Sequence, residues 1–358
     1  MHFLRCLVAL ALLTACGRKT WIAPNPEAHA AALAEAIEAM RADESVPGAA
    51  VKVQTPKGEW VYVSGNSQDA PPRPVDRFDR FPIRDITVAY VVTVILILAD
   101  ENVVRLDDPA SKFAPGAPEG VTIRQLASMR SGLVDYTATD AFRARDPSQS
   151  ATPFDLLALA DPSPQFEPGS QYAYSRTNAL WLGEVILGAT GKTWFELMRE
   201  RMLEPVKLFR TEWPVGTTPL EPFARGHDGT APATPRNFSA LAAAAGLTTT
   251  IDELATFGRA LAEGAFLSTF MHTQRLTYSL IAEDDTGPFA QHYGLGLMEL
   301  DGLYGHSGEG YGYAGAVWHE PQSDTTIAIL TNASGTPTRG ATSHLAEALA
   351  RILGWPGK

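Results

Sequence analysis

Apolar and polar positions follow three regimes along the chain. In residues 26–40, Ala, Glu, Leu and Ile recur at helical spacing and predict an N-terminal helix. Residues 48–54 and 59–63 then alternate on either side of Pro56-Lys57-Gly58, the pattern of two strands joined by a turn. A stretch rich in Pro, Asp and Arg, 69–80, leads into Phe81-Pro82-Ile83-Arg84-Asp85-Ile86-Thr87 and an apolar run over 88–99. That run is too short to span a bilayer and is expected to be a buried core helix. Its β-branched content favours a strand, and periodicity leaves helix and strand both open. Helical patterns at 123–129, 179–190, 194–203 and 251–263 follow, separated by Pro/Gly-rich connections. Strand patterns return at 294–300, 314–319 and 325–331, and a closing helix is expected over 342–353.

Strands at both ends with helices between them predict an α+β fold. Its antiparallel sheet, flanked by terminal helices, is built from 27–80 and 286–358. A mainly helical domain, 81–285, is inserted, with a cleft between the two. A length of 358 residues suits two such units.

Composition narrows the function classes. Hydrophobic residues at 45% and charged residues at 19% argue against a disordered chain. The net charge of -11, without a Lys/Arg cluster, argues against nucleic acid as a partner. At the N-terminus, Arg5 precedes an apolar segment over 6–13 that reads as a removed export signal. Leu13-Thr14-Ala15-Cys16 resembles the bacterial lipobox. Residues 1–15 are therefore expected to be a lipoprotein signal peptide, Cys16 the lipidated residue and 16–26 a tether. The expected location is the cell envelope, held on the outer membrane and facing the periplasm. Cys6 and Cys16 are the only cysteines, so neither a disulfide nor a cysteine metal site is expected in the mature chain. No His-Glu-x-x-His spacing occurs, and no metal or cofactor is expected.

Four segments carry a resemblance. Leu126-Ala-Ser-Met-Arg-Ser-Gly-Leu-Val-Asp-Tyr136 resembles an LLxHxSGLxDY segment, with Met129 in place of its histidine. The stretch from Phe166 through Tyr174-Ser175-Arg176-Thr177-Asn178 to Lys192 is similar to an FxPGxxxxYSNxNxxLLGxIIExxTGK pattern. Residues 243–258 resemble AAGGLxSTAxDLAxFG, and Gly305-His306-Ser307-Gly308 matches a GHxG strand. Together, in this order, they resemble the β-lactamase-related serine hydrolases, which include penicillin-binding proteins and D-Ala-D-Ala carboxypeptidases. The resemblance implies an acyl-enzyme mechanism. A serine opens a helix as Ser-x-x-Lys, the lysine and a motif tyrosine take its proton, and backbone N–H groups stabilise the oxyanion.

The same resemblance places Asp85 where that serine should stand and Val88 where the lysine should stand; no other Ser-x-x-Lys occurs in the chain. Tyr174, His306 and Gly308 are retained, and Arg176 replaces an asparagine. Nucleophile and base are both missing, so the chain is expected to be catalytically inactive, and a shifted hydroxyl such as Thr87 would lack its base. Asp85 and Arg176 should face each other across the cleft and form an ion pair, with Arg84 as a rival partner for Asp85. Tyr174 is expected to line the cleft. His306 is either a ligand contact or a strand-holding residue, and Tyr304, Tyr311 and Tyr313 are placed at the rim. Three functions remain open: a binding module for a peptidoglycan fragment, peptide or envelope protein; an esterase, peptidase or β-lactamase with an atypical nucleophile; and an inert structural protein.

Overall fold

The structure, a computed structural model, describes residues 21–281, 289–335 and 338–357. The expected signal peptide and Cys16 lie outside the described residues.

Nine antiparallel strands form the main sheet. In chain order they are β1 (Gly48–Thr55), β2 (Gly58–Asp69), β3 (Pro72–Pro74), β4 (Ser279–Leu280), β5 (His292–Tyr293), β6 (Met298–Leu300), β7 (Leu303–Gly310), β8 (Tyr313–Glu320) and β9 (Thr325–Thr331). Their spatial order is β3-β2-β1-β9-β8-β7-β6-β5-β4. The N-terminal hairpin therefore joins the C-terminal strands through β1 and β9, with Ala49 opposite Thr331. This is the α+β architecture expected from strands at both ends of the chain.

Every residue of β8 and β9 is buried, so both faces of the sheet are covered. Five long helices matter here: α1 (Ala30–Asp43), α2 (Ile86–Asp100), α3 (Thr177–Thr190), α4 (Ile251–Glu263) and α5 (Ala341–Ile352). On one face α4 packs on β8 and β9. A Cβ at Gly258 would stand 2.0 Å from Val317, so only glycine permits that approach. The opposite face is covered by α5 and by α1, which pack against each other.

The apolar run that periodicity left undecided is α2, with every residue from Ile86 to Leu98 buried. It lies among α3, the short helices Ala242–Ala245 and Trp194–Met198, and the sheet, where a helix satisfies its own backbone groups while burying all sides. Tyr90 stacks on Phe257 of α4 at 3.4 Å between centroids. No described helix is long and apolar enough to cross a membrane.

Some boundaries depart from the sequence expectation. Of 294–300 only Met298–Leu300 is strand, because Gly294 donates to the Leu297 carbonyl at 2.7 Å and Gly296 turns left-handed at φ 61°. A Cβ at Gly296 would also meet Val92 at 2.5 Å. The helix at 123–129 stops at Ala127, and Met129 adopts φ 55°. The helix at 194–203 changes from α to π after Met198.

Candidate active site

Three chain segments converge at the N-terminal end of α2. Asp85 is its N-cap, a position where aspartate usually accepts from first-turn amides, yet its side chain makes no such bond. The carboxylate turns instead toward Arg176, the N-cap of α3, and toward β7. Arg176 Nε lies 2.7 Å from Asp85 Oδ1, and Nη2 donates to Oδ2 at 3.0 Å. Nη1 donates to Asp135 Oδ2 at 3.0 Å. A guanidinium at a helix N-terminus opposes the helix dipole, and the two carboxylates offset that. Burial works against the charge of Arg176, but Asp85 and Asp135 outweigh it and hold the guanidinium well above its ordinary pKa.

The strand supplies a third contact. Glu309, immediately after Gly308 on β7, donates its backbone N–H to Asp85 Oδ2 at 3.2 Å. Gly308 makes this crossing possible, because a Cβ there would sit 2.5 Å from the Asp85 nitrogen and 2.8 Å from the Ile83 carbonyl. A backbone N–H of the strand is thus engaged by the Asp85 side chain.

The remaining sequence-picked residues surround this junction. Val88 is wholly buried one turn along α2 and supplies no proton acceptor. Tyr174 packs edge-on to Tyr293 at 6.1 Å between centroids. Burial first, then the Asp85 carboxylate and Tyr293, push its phenol well above the ordinary value, so it stays protonated. His306 is fully buried, with Nδ1 2.6 Å from the Ser307 carbonyl and its ring edge-on to Tyr293. Burial pulls its pKa down to about 4, leaving a neutral ring. Thr87 accepts from the Leu247 N–H at 3.2 Å.

Arg84 is not the partner of Asp85. Its φ of 49° sends the side chain to the far side of the β7–β8 hairpin, where it donates to the carbonyls of Gly310 and Tyr311 at 2.9 Å each. The three rim tyrosines also separate. Tyr311 and Tyr313 stack against Arg84, whereas Tyr304 packs on Tyr278 at the other end of β7. Sequence reasoning missed Asp135, Tyr293 and Glu309 as site members. Asp135 stood inside the quoted 126–136 segment and Glu309 beside Gly308, but no local pattern marks Tyr293.

A family model described as beta-lactamase matches residues 33–351. Penicillin-binding protein 4 of Amycolatopsis lactamdurans is 25% identical over 349 residues, which cover 89% of this chain and 89% of that protein. A D-aminopeptidase of Brucella anthropi is 29% identical over 153 residues, 42% of this chain but only 29% of the relative's length. Among solved structures, a D-stereospecific amidohydrolase from Streptomyces sp. superimposes with TM-score 0.78 at 28% identity, covering 89% of this chain and 97% of that one. The octameric penicillin-binding protein homologue from Pyrococcus abyssi shares the fold, with TM-score 0.75 at 23% identity, covering 91% and 77%.

Proposed function

The chain belongs to the beta-lactamase family, and on that premise we propose that it is a non-hydrolytic member that acts as a binding module in the bacterial cell envelope. One observation carries the reading: the Asp85 carboxylate holds Arg176 and the Glu309 N–H together. Acyl transfer in this fold needs a hydroxyl nucleophile, a base and a vacant oxyanion site. Here the nucleophile position bears a charge-neutralised carboxylate, Val88 stands at the base position, and a strand amide is already bonded. Attack by Asp85 on an ester or amide would give a mixed anhydride and would first have to break its ion pair. The ligands expected for the cleft are a peptidoglycan fragment, a peptide or an envelope protein. Lipidation at Cys16 would hold the protein on the outer membrane, facing the periplasm, and incorporation of labelled palmitate that is lost in Cys16→Ala tests this.

The competing reading is hydrolysis through another nucleophile, favoured by relatives named as an aminopeptidase and an amidohydrolase. Ser175 is the serine of the retained motif, and its buried Oγ hydrogen-bonds to nothing among the described residues. Incubation with a fluorescent penicillin and with a fluorophosphonate separates the two readings. No covalent label is expected; an adduct whose mass maps to a single residue would overturn the non-hydrolytic reading and name the nucleophile.

A further inference from the structure

Behind the tip of the β7–β8 hairpin lies a cavity of about 590 Å³ whose walls include none of Asp85, Tyr174, Arg176 and His306. Arg84, Arg225 and Arg236 line it. In a chain of net charge -11 such a concentration of cations is unexpected. Arg225 is matched by Glu221 at 3.2 Å. Asp69, the one carboxylate residue lining the cavity among the described residues, is held by His227 Nε2 at 2.7 Å.

Arg84 and Arg236 form no ion pair among the described residues. Arg84 is 4% exposed, and its Nη1 hydrogen-bonds to no described residue. Its guanidinium lies 4.9 Å from the Tyr313 ring centroid, and that of Arg236 lies 4.5 Å from the Tyr311 centroid. Burial above all, with Arg236 adding to it, pulls Arg84 down to about 10. Ring faces and backbone carbonyls offset part of the cost of burying this charge, and no carboxylate among the described residues forms an ion pair with it. The rest of the wall is largely apolar, with Pro219, Phe223, Pro232, Pro235 and Phe238.

We propose that this cavity binds a small organic anion, a carboxylate carried on an apolar body. The planar fork of a guanidinium matches a carboxylate, and an aliphatic or aromatic body suits the proline and phenylalanine wall. The volume falls within the range typical of small-molecule sites. The proposal does not rest on the reading of the Asp85 cleft.

Calorimetric titration of the full chain with 3-phenylpropanoate, its uncharged amide and inorganic phosphate tests it. The carboxylate is expected to bind at least about tenfold more tightly than the amide, a gap of about 1.4 kcal/mol, and more tightly than phosphate. Arg236→Gln should abolish the preference for acid over amide, and Arg236→Lys, which keeps the charge without the fork, should fall between. Tyr174→Phe, in the cleft and outside the cavity wall, should leave binding intact, which separates this site from the cleft. Equal affinity for acid and amide, phosphate binding as tightly as the carboxylate, or unchanged binding in a folded Arg236→Gln would overturn the proposal.

Discussion

Arg176 grips Asp85 by two nitrogens, Nε at 2.7 Å and Nη2 at 3.0 Å, across 91 residues of sequence and between the N-termini of two helices. Each charge is built into the other's surroundings. Asp85 is 1% exposed, and Arg176 is held besides by Asp135.

Arg176→Ala strands the buried Asp85 carboxylate and should lower the unfolding free energy by about 3–5 kcal/mol in urea titrations, whereas Asp85→Ala leaves Arg176 paired with Asp135 and should cost less. The double variant should lose less than the sum, with a coupling of about 1–3 kcal/mol. Additive losses would show that the two heads do not depend on each other.

Gly308→Ala places a methyl group against the Asp85 nitrogen at 2.5 Å. The strand or the helix must shift, at a cost of about 1–3 kcal/mol. The Glu309 N–H, bonded to Asp85, should then exchange with deuterium faster than in the wild type. Unchanged exchange together with unchanged stability would contradict the close crossing.

Rebuilding the chemistry requires three changes. Asp85→Ser with Val88→Lys restores nucleophile and base, and Arg176→Asn removes the guanidinium that fills the cleft. The triple variant is expected to take up a fluorophosphonate at position 85, read by peptide mass. A folded triple variant that stays unlabelled would mean that the cleft differs from its active relatives by more than these residues.

Two buried histidines set an acid limit. The rings of His306 and His319 are neutral, each held at about 4 by burial against an ordinary value of 6.5, with Arg259 adding to the effect at His319. Glu263 approaches His319 Nε2 only to 3.8 Å. Between pH 6.5 and 4 the unfolded chain binds more protons than the folded one, so stability is fully present above 6.5 and lost as pH falls through this window. Each ring accounts for on the order of 3 kcal/mol. Urea midpoints measured from pH 7 to 4 should fall, and His319→Gln should flatten the slope. A variant slope equal to the wild type would rule out His319 as a contributor.

Much of the frame was legible in the residues. The helix over 251–263 and the strand over 325–331 match prediction to the residue, because each pattern has one period and clear ends. The motif order also identified Asp85, Val88, Tyr174, Arg176, His306 and Gly308 as one neighbourhood. The structure brings together all of these but Val88, which packs into the core one turn further along α2. Arg84 was misread as a rival because its left-handed φ, imposed by the tight entry into α2, is invisible in a list of neighbours.

By itself the sequence determined which groups are present: a carboxylate where a hydroxyl is needed, an apolar side chain where an amine is needed, and an alternation of strands and helices fit for one layered fold. These follow from local composition and period. Period and propensity leave the 86–100 run open, and the resemblance makes it a helix; the tertiary structure supplies the physical reason, burial on every side, which overrides its β-branched preference. Only the tertiary structure brought the Glu309 N–H and Asp135 to the pair and, among the described residues, left Arg84 and Arg236 without an ion pair. Charge pairing acts over a few ångströms in space, and sequence separation carries no record of that distance.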